Sequence, residues 1–317
     1  MKVVIQIPCL DEAATLPQTI SDLPAALEGI DAIRVVVIDD GSSDQTGDIA
    51  ASLGASVVRL PETRGLAAAF SAGVEAALAT GADIVVNTDG DNQYRGDDIA
   101  SLIAPIVEGR ADIVIGARPI ATMRDFSWSK RWLQRVGSWV VRRLSRTAVA
   151  DATSGFRAYS REAALRLEVF SGYTYTLETI VQASNHGLRV ASVPVRVNPV
   201  ARPSRLVRSS AHYVLRAGSG LLRMFVVYRP FRFFIVPAAA SMLVALGIGV
   251  RFLWFYAVSG GAAGHLQSLI LAAMLFGLGA ALTVVAFLGD LVAINRRMLE
   301  ELRLEARRRR FEAASER

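Results

Sequence analysis

Residues 83–94, DIVVNTDGDNQY, run from a β-branched apolar stretch directly into an acidic turn. The run is of strand length and stays apolar up to Asn87, the pattern of a strand covered on both faces. Similar short runs occur at residues 3–7, 34–38, 56–60 and 112–116, and the stretches 13–28, 66–79 and 97–108 between them read as helices. Strands alternating with helices predict an α/β domain, a mostly parallel, Rossmann-like sheet with helices on both faces. Such sheets take their ligands in the crevice beyond the carboxyl ends of the strands. The polar residues expected there are Asp11 and Glu12, residues 39–44, Arg64, residues 89–93 and Arg118. A basic, aromatic stretch follows at 125–146, then DATSGFRAY at 151–159, a helix at 176–186 and a further strand at 189–197.

The chain has 317 residues, 52% of them hydrophobic, and a mean hydropathy of +0.35, too high for a wholly soluble protein. The excess lies after residue 230. Residues 233–250 hold 18 residues without a charge and residues 266–289 hold 24, each enough to cross about 30 Å of hydrocarbon. At the N-terminus, residues 2–7 are stopped by Pro8, too short for the apolar core of a secretory signal, so the bulk of the chain is expected to stay in the cytoplasm. The single cysteine, Cys9, excludes an internal disulfide framework and a cysteine-based zinc site.

The net charge is +6, yet the arginines crowd at 202–232 and 296–310, on either side of the apolar segments, while the link 259–265 has no Lys or Arg. That is the positive-inside pattern of a membrane protein, and it argues against nucleic acid as a partner. An integral protein of the cell inner membrane or its equivalent is expected, with both termini and the N-terminal domain cytoplasmic. Between domain and spans, Arg205, Arg208, Arg216 and Arg223 fall within roughly an 80° arc of a helical wheel, opposite an apolar face. This predicts an amphipathic element in the headgroup plane; a helix packed on the globular domain is the alternative. The expected organisation is residues 1–204, an amphipathic region at 205–230, two spans within 231–294 (about 233–258 and 266–289) and a basic tail at 295–317. Gly277, Gly279 and Ala281 on the second span suggest a homo-oligomer through the helical hairpin.

The chemistry centres on residues 87–94. Asp89 and Asp91, separated by Gly90, can converge on one hard divalent cation, Mg²⁺ or Mn²⁺, with Gln93 as a further oxygen ligand. Such a cation would bridge the protein and a diphosphate. Asp39 can accept hydrogen bonds from a nucleobase. Asp40, Ser42 and Asp44 could instead cap the following helix, the favoured role for the last two. Arg64, at another strand-to-helix turn, could reach a donor phosphate or be merely solvated.

Taken in order, PCLDE (8–12), DDGSSD (39–44), RGLAAAF (64–70), NTDGDNQY (87–94), GAR (116–118) and DATSGFRAY (151–159) resemble the family 2 glycosyltransferases of GT-A fold. Within them they resemble the polyprenyl-phosphate group, which includes dolichyl-phosphate mannose synthases and bactoprenol glucosyltransferases. The resemblance covers about residues 1–205, and a two-helix C-terminal transmembrane hairpin matches a subset of the group. It implies that Pro8, Glu12 and Asp39 hold the nucleoside, with Arg64 and Gly90 nearby, and that Asp89, Asp91 and Gln93 form the metal and diphosphate site. Arg118 and Arg131, with Arg135 and Ser138 nearby, match basic acceptor-phosphate residues; Asp151 and 154–157, including Ser154, match the loop below the acceptor. Arg202 and Arg205 resemble a donor-phosphate segment in which two usual residues are replaced. The Asn-x-Gly that often precedes the third helix is Arg64-Gly65-Leu66 here, which puts donor contacts there in doubt.

The activity implied is an inverting transfer from a GDP- or UDP-linked sugar to a polyprenyl phosphate. Little base catalysis is needed, because the attacking oxygen is already ionised near pH 7, and His186, His212 and His265 all lie outside the motifs. A processive polysaccharide synthase would carry Gln-x-x-Arg-Trp, but Trp128 stands where Gln is required. A transferase for another membrane lipid, and a non-catalytic nucleotide-binding scaffold, stay open as alternatives.

Overall fold

The computed structural model describes residues 1–119, 149–169, 175–199, 222–223, 225–258 and 266–315. It comprises two compact units, Met1–Gly220 with Arg303–Arg317, and Leu221–Leu302.

The first unit is built on one seven-stranded sheet of order β3-β2-β1-β4-β6-β5-β7. Its strands are β1 Lys2–Cys9, β2 Ala32–Asp39, β3 Ser56–Arg59, β4 Ile84–Asn87, β5 Ile113–Ala117, β6 Arg157–Ser160 and β7 Val190–Pro194. β1 to β4 pair in parallel, as do β5 and β7, while β6 runs antiparallel between β4 and β5. The sheet is therefore mixed, with helices between strands as expected. β6 was not foreseen, since four residues beginning with an arginine are too short to show a strand's period.

The helices of this unit are α1 Leu16–Ser21, α2 Thr46–Ser52, α3 Leu66–Ala79, α4 Ile99–Val107, α5 Arg161–Arg166 and α6 Thr176–Asn185, with a 3₁₀ turn at Gly96–Asp98. α3 spans the expected residues. α1 is much shorter than the expected 13–28, because Pro24 has no N–H to continue the helix and disfavours helical geometry at Leu23. The core beneath the helices includes Ile5, Ile7, Ile84, Ile99, Leu102 and Phe156, all fully buried. Each contributes about 1.5–3 kcal/mol by leaving water.

The second unit holds α7 (Pro230–Val258) and most of α8 (Leu266–Ser315), two helices long and apolar enough to cross a membrane. They pack antiparallel: Phe231 meets Phe287 at 5.4 Å between ring centroids, and the Ser241 hydroxyl donates to the Leu275 carbonyl at 2.8 Å. Gly279 permits the approach, for a Cβ there would lie 2.6 Å from Met242 and 3.0 Å from the Ala238 carbonyl. That small residue thus faces α7 within the hairpin, while Gly277 meets nothing within 4 Å. Few residues of the two apolar stretches are buried; Leu243, Trp254 and Met274 are each over two-thirds exposed.

α8 has 50 residues. At 1.5 Å per residue it is about 75 Å long, more than twice a hydrocarbon core. The expected basic tail is its continuation, and from Arg303 onward it belongs to the first unit. There Arg307 pairs with Glu75 of α3 at 2.6 Å and donates to the Leu165 and Leu167 carbonyls, and Arg308 meets both oxygens of Glu162 at 2.7 Å. Arg303 reaches Glu168 at 3.0 Å, and Phe311 is buried.

Candidate active site

Three strand ends meet at the middle of the sheet, those of β1, β2 and β4. The loops after β1 and β2 are locked together by side chains that bond backbone. Asp11, in the left-handed region at φ 53°, accepts from the Ser43 N–H (2.8 Å) and hydroxyl (3.0 Å). The Ser42 hydroxyl accepts from the Asp11 N–H (3.0 Å), and Thr46 Oγ1 accepts from the Glu12 N–H (2.9 Å). Asp44 accepts from the N–H of Thr46, first residue of α2, and from that of Ala13. Asp44 thus serves the helix start as well as the facing loop, whereas Ser42 joins loops and caps nothing. Pro8 is buried within β1, and the Asp39 carboxylate, nearly buried, takes the Ser42 N–H at 2.9 Å. Asp40 accepts from the backbone N–H groups of Arg64 and Gly65, each at 2.8 Å. It fixes the turn into α3, where Gly65 has φ 90°, while the Arg64 side chain is exposed, 3.6 Å from Glu62.

The turn after β4 is fastened on three sides. Gly90 packs on β1's end, for a Cβ there would fall 2.8 Å from the Cys9 sulfur, and its carbonyl accepts from the Thr19 hydroxyl at 3.1 Å. The Thr15 hydroxyl lies 2.8 Å from both that carbonyl and a Glu12 carboxylate oxygen. Asp91 turns back to accept the Gln93 N–H at 3.1 Å. Asn92, left-handed at φ 55°, and Gln93 give their carbonyls to the side chain and N–H of Asn198. Asp91 and Glu12 thereby lie near enough to Asp89 for their charges to act on it.

Burial, then the charge of Asp91, raise the Asp89 carboxyl to about 7, Glu12 adding to the effect and Arg118 opposing it. Negative charge is thus concentrated beyond the end of β4, which a divalent cation would relieve. Among the described residues no three His, Cys, Asp or Glu converge on one point. Asp89 and Asp91 would give a cation two carboxylates, an oxygen-only set of the kind that suits Mg²⁺ or Mn²⁺ and leaves positions for phosphate oxygens.

Across from this turn, Arg118 beyond β5 forms a bidentate pair with Asp151 at 2.7 and 3.2 Å and donates to Thr153 at 2.9 Å. Burial disfavours the charge on Arg118, but Tyr94, Asp151 and Asp89 outweigh it and keep the guanidinium protonated. Burial likewise works to raise Asp151, and the charge and hydrogen bonds of Arg118 override it, holding the carboxyl below its usual range. Ser154 is fully buried, with its hydroxyl 3.4 Å from that of Tyr94. Arg131, Arg135, Ser138, Arg202 and Arg205 lie outside the described residues, as does most of the amphipathic region.

Sequence reasoning missed a buried polar layer under the turn. Gln6 of β1 donates to Asn87 Oδ1 at 3.0 Å. The Asn87 amide donates to the Gly155 carbonyl and the Tyr175 hydroxyl, both at 2.8 Å. Tyr175 stacks on Phe70 of α3 with centroids 3.9 Å apart. Arg157, fully buried, donates to the carbonyls of Ala152, Ser154 and Thr176 and to the Thr179 hydroxyl, all at 2.7–2.8 Å. Two signals were visible: one polar residue inside VVIQI and one closing IVVN.

Comparison with known proteins gives this geometry a setting. A polyprenol monophosphomannose synthase of Mycolicibacterium smegmatis is 28% identical over 206 residues, 61% of this chain and 76% of that protein. An undecaprenyl-phosphate mannosyltransferase of Micrococcus luteus is 29% identical over 206 residues, 62% of this chain and 83% of that protein. The crystal structure of glucosyl-3-phosphoglycerate synthase from Mycobacterium tuberculosis, with Mn²⁺, UDP and glucosyl-3-phosphoglycerate, is similar at TM-score 0.56 and 21% identity, over 71% of this chain and 78% of that one. At that identity the likeness establishes the GT-A-like fold. Residues 4–167 match the Glycosyl transferase family 2 pattern, just over half of the chain and every strand that carries the acidic site, and the protein belongs to that family.

Proposed function

We propose that the protein transfers a sugar, with inversion, from a GDP- or UDP-linked donor to a polyprenyl phosphate at the cytoplasmic face of a membrane. The observation that carries this reading is the pairing of Asp89 and Asp91 beyond β4 with the buried guanidinium of Arg118 close by. The named activities of the two mannosyl-transferring relatives support the choice of acceptor. The exposed apolar surface of α7 and α8 supports the location, for left in water it would be a heavy cost.

An ionised oxygen of the acceptor phosphate attacks the anomeric carbon. The bond from that carbon to the donor diphosphate breaks, its electron pair leaving with the nucleoside diphosphate. No proton has to be removed. A divalent cation held by Asp89 and Asp91, with Gln93 beside them, would supply positive charge to the leaving diphosphate. Pro8, Glu12 and Asp39 line the nucleoside end, with Arg64 and Gly90 nearby. Arg118, with Arg131, Arg135, Ser138 and Ser154, is assigned to the acceptor phosphate, and Arg202 and Arg205 to the donor phosphates. The contribution of such groups is positional and electrostatic: two anions are held within reach of each other while their repulsion is offset. α7 and α8 anchor the domain where the polyprenyl tail resides, both chain termini lying on the cytoplasmic side.

The full chain in detergent, given radiolabelled nucleotide sugars and undecaprenyl phosphate, is expected to produce a labelled phospholipid, and chelation or Asp91→Ala is expected to lower its formation at least a hundredfold. Transfer that survives both would sink the proposal. Transfer only to another lipid would point to a different acceptor, and nucleotide binding without transfer to a scaffold.

A further inference from the structure

The loop 151–157 is expected, by resemblance, beneath the acceptor. Its geometry points to a second role. Gly155 stands directly against Asp89: a Cβ on Gly155 would lie 2.8 Å from Asp89 Oδ1 and 3.0 Å from Oδ2. The space a Cβ would need on Gly155 is therefore taken by both oxygens of the carboxylate, so the bare glycine forms a close wall that limits any swing of the Asp89 side chain toward the loop.

The wall is itself fixed at both ends of its residue. The Gly155 N–H donates to the Tyr94 hydroxyl at 3.3 Å. Its carbonyl accepts from the Asn87 amide at 2.8 Å and from the Tyr175 hydroxyl at 3.3 Å. Asn87 in turn donates to Tyr175, closing a triangle, and Gln6 fixes the amide's orientation by donating to Oδ1. Stacking holds both phenols: Tyr175 on Phe70 at 3.9 Å and Tyr94 on Phe156 at 4.9 Å between centroids. On the N-terminal side of the glycine, Arg157 grips the carbonyls of Ala152 and Ser154. Buried hydrogen bonds linked in this way stiffen the loop against β4, although Gln6 Oε1 is left without a partner among the described residues.

We propose that Gly155, clamped by Tyr94, Asn87 and Tyr175, is a positioning residue that sets the Asp89 carboxylate for a divalent cation. This rests on the reading of Asp89 and Asp91 as the cation's ligands. The groups that orient a ligand commonly govern metal affinity about 10–100-fold when altered.

Gly155→Ala is a selective wedge, because the Gly155 backbone lies outside the left-handed region and the added methyl meets the Asp89 oxygens and, at 3.2 Å, the Tyr175 hydroxyl. The test is a titration of Mn²⁺ by electron paramagnetic resonance into the full chain in detergent with saturating UDP or GDP, alongside thermal melting without metal. Expected are an unchanged metal-free melting temperature, Mn²⁺ binding weakened about tenfold or more by Gly155→Ala, and about threefold weakening by Tyr175→Phe, which keeps the stacked ring and loses the hydroxyl's two hydrogen bonds, to Asn87 and to the Gly155 carbonyl. Excess Mn²⁺ should restore most transfer to Gly155→Ala and none to Asp91→Ala. If Gly155→Ala does not fold, Tyr175→Phe and Tyr94→Phe decide. Wild-type affinity in the folded variants, or loss of transfer that excess Mn²⁺ does not restore, overturns the proposal. If the wild type itself binds no Mn²⁺ with either nucleotide, the reading of Asp89 and Asp91 fails instead.

Discussion

Arg157 and Arg308 carry the same side chain and are held in opposite ways. Arg157 begins β6, is wholly buried, and gives its hydrogen bonds to three carbonyls and a hydroxyl. Arg308, near the end of α8, is 40% exposed and faces a Glu162 carboxylate that is 39% exposed. The buried guanidinium shapes the loop that borders the acidic site, since its partners are the backbone of residues 152–154 and the start of α6. The surface guanidinium joins one helix to another and could release without disturbing either. The difference is one of solvent: in the interior a lost donor leaves its acceptors bare, while at the surface water replaces it.

The largest effect should therefore come from Arg157→Met, which fits the apolar part of the space but leaves up to four buried acceptors without a donor. At about 1–3 kcal/mol for each group that stays unsatisfied, the variant should lose at least about 3 kcal/mol. Thermal melting of the full chain should show an early transition for the first unit, with transfer falling in step as loop 151–157 loosens. An unchanged melting temperature would mean that the contrast between the two regions is false.

Acid should sharpen the contrast at intermediate size. The Asp151 carboxyl is held below the usual carboxylate range by Arg118, against the effect of burial. A carboxyl with a depressed folded-state pKa adds stability that is fully present above the unfolded value and is lost as pH falls through the folded one. Stability from the Arg118–Asp151 pair should thus be constant above about pH 5 and decline from about pH 4 downward. In Asp151→Asn this part of the acid dependence should vanish, together with a share of the stability at pH 7. A variant retaining the wild-type acid profile would show that the pair does not control it.

What could be read beforehand follows the same division. Residues 8–12, 39–44 and 87–94 announced themselves because acidic residues follow apolar strands, a pattern independent of tertiary contacts. The role of Asp40 was partly legible: a helix-start function was visible, but not that it holds Arg64 and Gly65, two dozen residues away. The DATSGFRAY segment stands out as a motif but shows no strand, because β6 exists only through pairing with β4 and β5. Gln6, Asn87 and Tyr175 escaped notice as a group, since they are 81 to 88 residues apart along each link and meet only in the folded sheet. The spans were legible from composition alone. That the arginines beyond them would dock on Glu75 and Glu162 was not, for a charge run has no period that names its partner.

The smallest effects belong to that docked helix, and they differ among themselves. Arg308 and Glu162 are both substantially exposed, so Arg308→Ala should cost about 0.2–1 kcal/mol at most. Arg307 is 15% exposed and holds the Leu165 and Leu167 carbonyls besides Glu75, so Arg307→Ala should cost more, about 1–2 kcal/mol. Neither should move the global melting temperature much, because release of residues 303–311 need not unfold the sheet. Hydrogen exchange of that segment is the proper gauge: Arg307→Ala should speed it clearly, Arg308→Ala slightly. Raising salt to about 1 M, where screening acts over about 3 Å, should loosen the segment in the wild type and add little in Arg307→Ala. Equal exchange in both variants would mean that the half-buried arginine has no advantage over the exposed one, and that position in the solvent does not rank these contacts.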